Sequence, residues 1–154
     1  MLMVFLGVPM AQAADFPKDL SVTVGDLFLP GNFIAGQTGK IYVTVHNNSK
    51  VDLAGVVKFF DERTGQFIGS DQPISAIAGK TDDVFIDWGS DLLGDHPIAV
   101  RVVPWDQTGD NPDNNKATKV LFVDIDSDRD GTGNRMDPDD DNDGVLDGQD
   151  QCPG

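Results

Sequence analysis

The sequence predicts an all-β protein, an antiparallel β-sandwich followed by an irregular acidic tail. Three observations lead to this fold class. Short apolar runs alternate with a period of two between residues 20 and 123, which is the pattern of half-buried strands. No window of a dozen residues keeps a helical apolar spacing free of Gly or Pro. Of the 26 acidic residues only Glu62 is a glutamate, and aspartate is a poor helix former.

The apolar runs give the strands in order. The first covers residues 20–29, and Ile41, Val43 and Val45 share one face of the second. The others cover residues 56–61, 66–70, 74–78, 83–88, 97–103 and 118–123, with turn residues at 30–32, 47–49, 63–65, 78–80 and 106–115. Seven or eight short strands at this spacing indicate a sandwich. Trp88 is expected to face its core, and Gly79 to take a positive φ in a turn.

The order of these strands and turns also resembles a known domain. A strand that reads GQTGKIYVTVHNN at residues 36–48 is followed by AGK at 78–80, an aromatic strand ending at Trp88 and DNN at 113–115. This order is similar to a cell-adhesion-related domain found in bacteria. The resemblance covers roughly residues 18–124 and implies an immunoglobulin-like sandwich of about seven strands, on a surface or secreted protein, with no catalytic residue.

The first residues indicate the compartment. Residues 2–10 are largely apolar, and Ala11-Gln12-Ala13 follows as a small-x-small cleavage signature. We expect a signal peptide over residues 1–13, cleaved after Ala13, and a secreted or cell-surface protein in an extracellular or periplasmic location. No Lys or Arg precedes the apolar run, and a buried N-terminal strand is the alternative. The run is shorter than the roughly 20 residues that a membrane span needs.

The net charge is −15 at pH 7, from 11 basic and 26 acidic residues. Long-range repulsion therefore opposes binding to nucleic acid or to an anionic membrane. Residues 124–154 alone hold eleven aspartates and only two arginines, a net charge of −9. The chain thus has two unlike parts, which we assign to a sandwich over residues 14–124 and a tail over residues 125–154. The partners expected for such a surface are cations or basic proteins.

The tail repeats itself after 13 residues. Residues 126–137 (loop one) and 139–150 (loop two) both follow the order D-x-D-x-D-G-x-x-[DN]-x-x-D. In an acidic calcium loop, positions 1, 3 and 5 supply carboxylates, position 6 is Gly, position 7 offers a backbone carbonyl, and positions 9 and 12 complete the shell. The predicted ligands are Asp126, Asp128, Asp130, Thr132, Asn134 and Asp137 in loop one and Asp139, Asp141, Asp143, Val145, Asp147 and Asp150 in loop two.

All of these ligands are oxygen atoms, which favours Ca²⁺ over zinc or copper, and about two ions are expected. The alternative is a solvated, disordered charge run. Two complete matches in register, each with its glycine, favour the calcium interpretation. Only Pro138 separates the loops, so the helix of a helix-loop-helix hand does not fit between them, and the spacing also disfavours a dockerin.

The close spacing of the loops and the ending Asp150-Gln151-Cys152-Pro153 resemble thrombospondin type 3 repeats. That resemblance covers residues 126–153 and implies repeats wrapped around calcium ions, with cysteines linking neighbouring repeats. It implies that Cys152, the only cysteine, pairs with a cysteine of a repeat outside this sequence.

Metal binding and folding of the tail are expected to be one event. Apolar side chains are few there, chiefly Met136, Val145 and Leu146, and the like charges repel each other, so the metal-free tail should be flexible. Two calcium ions would add four positive charges and fix the loops. The tail would then be a stiff spacer wherever calcium is abundant.

Catalytic residues are not evident. His46 and His96 lack a nucleophile beside them and are interpreted as structural, and the pairs Asp61-Glu62 and Asp82-Asp83 as exposed strand ends. We therefore expect no enzyme but a secreted or cell-surface calcium-binding adhesion module, whose sandwich partner is a cell-surface or matrix protein or a glycan. The alternatives are an accessory segment of a larger secreted hydrolase and a periplasmic spacer of an outer-membrane protein.

Overall fold

A computed structural model describes residues 16–29 and 33–151. The predicted signal peptide and Cys152 with its expected disulfide lie outside these residues. The described chain is all-β, as predicted, and its only helices are two 3₁₀ turns, Val24–Asp26 and Pro112–Asn114. Among the described residues, no helix combines the length and the apolar character that a membrane crossing would need.

The described residues form nine strands in two sheets. In chain order they are β1 (Leu20–Ser21), β2 (Leu27–Phe28), β3 (Phe33–Ile34), β4 (Gly39–Asn47), β5 (Leu53–Asp61), β6 (Gln66–Ala76), β7 (Thr81–Trp88), β8 (Gly94–Pro104) and β9 (Lys116–Asp124). One sheet holds β4 at its centre, paired with β1, β2 and β7, and the other has the order β3-β9-β8-β5-β6. Every pair is antiparallel except β3 with β9, which is parallel.

The core lies between the sheets and follows the predicted alternation. Ile41, Val43 and Val45 of β4 are buried, because every second residue of a strand points to the same face. They meet buried residues of the other sheet, among them Val57, Phe59, Ile98, Val100, Val102 and Val123. Trp88 is buried at the end of β7, and its ring centroid lies 5.6 Å from that of Phe33. The predictions for Trp88 and for Gly79, which has φ 64°, are confirmed.

Three elements differ from the predicted strands. Residues 20–29 form two short strands, because Val24–Asp26 form a 3₁₀ turn whose Thr23 N–H donates to Asp26. The two predicted runs 66–70 and 74–78 form the single strand β6, because Gly69 and Pro73 are tolerated at the edge of a sheet. The parallel strand β3 was not predicted, since it is only two residues long.

Asn47 ties three segments of the sandwich together. Its side chain is 2 % exposed, its amide group donates to the carbonyl oxygens of Val51 and Ala76, and its Oδ1 accepts from the N–H and the hydroxyl of Ser49. Asn47-Asn48-Ser49 matches a glycosylation acceptor in sequence. In the folded chain, however, this amide is buried and fully engaged.

Asn47→Ala is expected to lower the free energy of unfolding by about 2–3 kcal/mol, because it removes a buried side chain that donates to the carbonyl oxygens of Val51 and Ala76 and accepts from Ser49. The measurement is urea unfolding followed by tryptophan fluorescence. Asn48→Ala is the neighbouring control, since Asn48 itself is exposed, although its amide donates to the buried Asp19 and Ser21. A loss for Asn47→Ala no larger than that of the control would contradict this role.

A buried polar pair joins β5 to β8. His96 is fully buried, and its Nδ1 lies 2.9 Å from Oδ2 of Asp61. Its Nε2 lies 2.8 Å from the carbonyl oxygen of Leu92. Asp61 is 2 % exposed, so the expectation of an exposed strand end is wrong for this residue. Both ring nitrogens of His96 thus have partners within the protein, and Nε2 also lies 3.1 Å from the Arg63 guanidinium, which supports a structural role.

Candidate metal centre

Residues 125–151 contain turns and bends but no strand. Within them the structure brings together two groups of three carboxylates. Asp126, Asp128 and Asp130 place one oxygen each within 4.8 Å of one another, and Asp139, Asp141 and Asp143 do the same. These are positions 1, 3 and 5 of the two predicted loops.

Backbone N–H groups turn the carboxylates of loop one inward. Asp126 accepts from the N–H groups of Arg129 and Gly131 at 2.7 and 3.1 Å. Asp128 accepts from Asp130 N at 2.9 Å, and Asp130 from Thr132 N at 2.7 Å. Aspartate favours such local turns because its short side chain reaches the backbone two residues on. The alternating aspartates thus wind the chain into a ring.

Loop two repeats three of these four contacts, and in place of the fourth Asn142 N donates to the backbone oxygen of Asp139 at 3.1 Å. Asp139 accepts from Gly144 N at 3.0 Å, Asp141 from Asp143 N at 3.2 Å, and Asp143 from Val145 N at 2.7 Å. The same sequence spacing therefore produces the same local structure twice.

The backbone of both loops takes the left-handed region at the same two positions. Position 6 is Gly131 with φ 98° and Gly144 with φ 91°, as expected for the reversal. Position 4 is Arg129 with φ 67° and Asn142 with φ 54°, and no other described non-glycine residue has a positive φ. A residue with a Cβ pays roughly 1–2 kcal/mol there. Such strain persists where the surrounding contacts impose it, which is typical of ligand-binding loops.

Position 9 closes each ring through the backbone. Asn134 N donates to Ile125 O at 2.8 Å, and its Oδ1 accepts from Ser127 N at 3.0 Å. The equivalent Asp147 N donates to Pro138 O at 3.0 Å, and its Oδ1 accepts from Asp140 N at 2.9 Å. Both side chains thus hold position 2 of their loop.

The remaining predicted ligands lie outside the two triads. Thr132 and Val145, at position 7, donate their N–H groups to the last aspartate of each triad, as given above. Asp137 accepts from Asp139 N at 3.0 Å and so links the loops. Asp150 donates its N–H to Leu146 O. Positions 7, 9 and 12 stay predictions as ligands.

The loops also contact each other, and their carboxylates are crowded. The side-chain amide of Asn142 in loop two donates to Oδ2 of Asp128 in loop one. A hydrogen bond from Asp130 N lowers the pKa of Asp128. Desolvation and the neighbouring carboxylates of Asp130 and Asp126 raise this pKa by more, so the net shift is upward. Burial, followed by the charge of Asp147, raises the pKa of Asp140. This crowding of negative charge is what a bound cation would relieve.

Hydrogen bonds and packing attach loop one to the end of β9, through residues that the sequence did not predict. Asp124 is buried, its Oδ2 accepts from Arg135 N at 3.0 Å, and its carbonyl oxygen accepts from Ala35 N at 2.8 Å. The guanidinium of Arg135 lies 3.9 Å from the ring centroid of Phe122. A Cβ on Gly133 would lie 2.8 Å from Asp124, so this position needs glycine. The signal in the sequence is the acidic residue just before the repeat begins.

The acidic stretch at residues 106–115 has a structural role. Asp106 bonds to Lys18 at 2.5 Å, and Asp110 accepts from Leu20 N at 3.1 Å and from the amide of Asn115 at 2.5 Å. These contacts attach the stretch to β1. No metal-like group of three occurs there among the described residues.

Each loop thus holds one triad, and each triad offers only carboxylate oxygens and carries an excess of negative charge. Hard divalent cations prefer such a donor set. The two aspartate triads could each hold a metal ion.

The sequence matches no family model and no curated protein. Among solved structures, the fold is similar to the CARDB domain of a Pyrococcus furiosus protein, described as a complex with di-metal ions, with a TM-score of 0.56 and 17 % identity over 76 % of this chain and 97 % of that chain. A solution structure of the same domain gives a TM-score of 0.55 and 18 % identity over 69 % and 94 % of the two chains. Neither supports the thrombospondin resemblance of the tail, which stays a prediction. The likeness shows the fold: this chain contains an immunoglobulin-like β-sandwich of the kind seen in CARDB domains.

Proposed function

We propose that this protein is a non-catalytic, calcium-binding structural module of the cell exterior, in which Ca²⁺ makes the acidic tail rigid. The observation that carries this proposal is the repeated geometry of the two triads, with oxygen atoms within 4.8 Å of one another in both loops. The oxygen-only donor set favours calcium, and magnesium less so, since it demands a small and regular octahedron. The secreted or surface location rests on the N-terminal sequence alone.

The adhesion role of the sandwich is also part of the proposal. It rests on the strand pattern of residues 18–124 and on a fold similar to that of a CARDB domain. The tail would then act as a spacer that holds the sandwich at a set distance. Calcium, abundant outside cells and scarce inside them, would switch the tail from loose to stiff.

The test is calorimetric titration of the protein with CaCl₂. We expect about two ions per chain, with affinities near 0.1–1 mM, as extracellular calcium modules have. Asp130→Ala and Asp143→Ala should each remove about one ion, because each deletes a carboxylate of one triad. Asp87→Ala is the matched control, an exposed aspartate of β7 outside the tail.

Two results would contradict the proposal. One is binding by both loop variants with the wild-type number of ions, which would place the sites elsewhere. The other is a wild-type protein that takes up no calcium at millimolar concentration.

A further inference from the structure

Three aromatic side chains form one row across the outer face of the four-stranded sheet. Phe28 of β2, Tyr42 of β4 and Phe85 of β7 are cross-strand partners in register. The ring centroids of Phe28 and Tyr42 lie 6.2 Å apart, and those of Tyr42 and Phe85 lie 5.7 Å apart. Their exposed fractions are 62 %, 37 % and 48 %. Exposed apolar patches of a few hundred Å² with a polar rim are often functional surfaces.

Polar pairs border this aromatic row on both sides. On one side, two residues along the strands from Tyr42 and Phe85, Lys40 Nζ bonds to Asp87 Oδ1 at 2.7 Å. The same Nζ lies 4.1 Å from the Phe85 ring centroid. On the other side, Thr44 Oγ1 bonds to Asp83 Oδ1 at 2.6 Å. These side chains share the outer face because residues 40, 42 and 44 alternate with the buried ones. The surface is therefore a narrow apolar strip between two polar edges.

The size of the strip argues against a protein partner. At the exposures given above, the three rings offer about 300 Å² of apolar surface, whereas a stable protein interface buries about 800 Å² on each partner, of which roughly 450 Å² is apolar. The carboxylates beside it do not leave room for a wider apolar contact.

The negative charge around the row excludes several classes of ligand. The edges of the row carry two aspartates, Asp83 and Asp87, and one lysine, Lys40, in a chain with a net charge of −15. A second copy of the chain, an anionic polysaccharide or an acidic peptide would be repelled. A neutral ligand with an apolar face and hydroxyl groups along its sides avoids this repulsion and can donate to the carboxylates.

A pyranose ring has this chemistry. Its C–H groups pack on the negative face of an aromatic ring, and its hydroxyl groups lie at its edge, within reach of polar side chains. We propose that the Phe28–Tyr42–Phe85 row binds a neutral, linear polysaccharide along its length. This site lies on the sandwich, and it goes beyond the proposed calcium function without depending on it.

Tyr42 is the only tyrosine of the chain, so labelling with 3-fluorotyrosine gives a single ¹⁹F resonance that reports on the middle of the row. The probes are cellohexaose, chitohexaose, xylohexaose and mannohexaose, with hexagalacturonate as the anionic comparison. We expect at least one neutral hexasaccharide to shift this resonance, and hexagalacturonate to leave it unchanged. The shift should be the same in EGTA and in millimolar calcium, which separates this result from success or failure of the calcium proposal.

Calorimetry with the binding hexasaccharide then tests the residues. Phe28→Thr and Phe85→Thr should each weaken binding about tenfold, because each removes one stacking surface. Threonine keeps the strand propensity, so these variants are expected to fold, and thermal melting checks that they do. The matched control is Phe67→Thr, which removes a phenylalanine that is 69 % exposed from β6 of the other sheet.

Several results would overturn the proposal. They are a resonance that none of the four neutral hexasaccharides shifts at millimolar concentration, a shift caused by hexagalacturonate alone, and equal losses in Phe67→Thr and Phe85→Thr. Sedimentation adds one more, since a dimer that Phe85→Thr dissolves would make the row a contact between copies.

Discussion

Replacing His96 with phenylalanine is expected to lower the free energy of unfolding of the sandwich by about 3–5 kcal/mol, although the ring that replaces it is of similar size. His96 and Asp61 are both buried, and the imidazole provides the donor for Asp61 Oδ2 at 2.9 Å. With phenylalanine in place, a carboxylate stays inside the protein without that donor. The measurement is urea unfolding near neutral pH.

Two further variants identify the cause. The double variant Asp61→Leu/His96→Phe should regain most of the lost stability, because it removes both polar groups. Asp87→Ala breaks the exposed pair with Lys40, and should change stability by less than about 1 kcal/mol. If the double variant is as unstable as His96→Phe, the unpaired carboxylate is not the cause of the loss.

The acid limb of the stability curve gives a second readout of the same pair. Burial raises the pKa of Asp61, but hydrogen bonds from His96 and from the Arg63 N–H outweigh it and hold the pKa below the ordinary 3.8. A carboxyl whose pKa is lowered by folding contributes stability above its unfolded pKa and loses it as the pH falls through the folded value. The wild type should therefore lose stability below pH 3.8 more steeply than the double variant.

Calcium is expected to slow tryptic cleavage after Arg135 at least tenfold. Arg135 lies in loop one, between positions 9 and 12, and cleavage requires the loop to open locally. A bound ion would link the loop's carboxylates and make that opening rare. The measurement is the rate of appearance of the fragment in EGTA and in millimolar calcium, by mass spectrometry.

Loop variants make this prediction specific. Asp130→Ala should abolish the protection, whereas Asp143→Ala in loop two should leave most of it. Cleavage after Lys50, in an exposed turn of the sandwich, should not respond to calcium. Equal rates after Arg135 with and without the metal would show that the loop has the same mobility in both states.

The sequence was sufficient where local chemistry determines the structure. The period-two pattern located β4, β5, β7, β8 and β9, because burial on one face and solvent on the other require that alternation. It could not locate β3, whose two residues are positioned by pairing with β9 some 90 residues away. It also failed at Asp61, since a charged residue at a strand end is usually exposed, and this carboxylate is buried because His96 and the Arg63 N–H bond to it.

The same division holds for the candidate site. The aspartate spacing predicted both triads, because the carboxylates of Asp126 and Asp139 bond to backbone groups a few residues away. The seat of loop one on Asp124 and the contact of Asn142 with Asp128 were not predicted. Both depend on how one segment lies against another, which no local spacing reveals.

The pairing of β9 has a mechanical consequence. The tail leaves the sandwich directly from β9, which lies between β8 and the parallel β3. A pull on the tail along the axis of this strand loads the hydrogen bonds to both neighbours in shear, all at once, instead of opening them one after another. The junction should therefore resist tension well, which is the property that a tether under load requires.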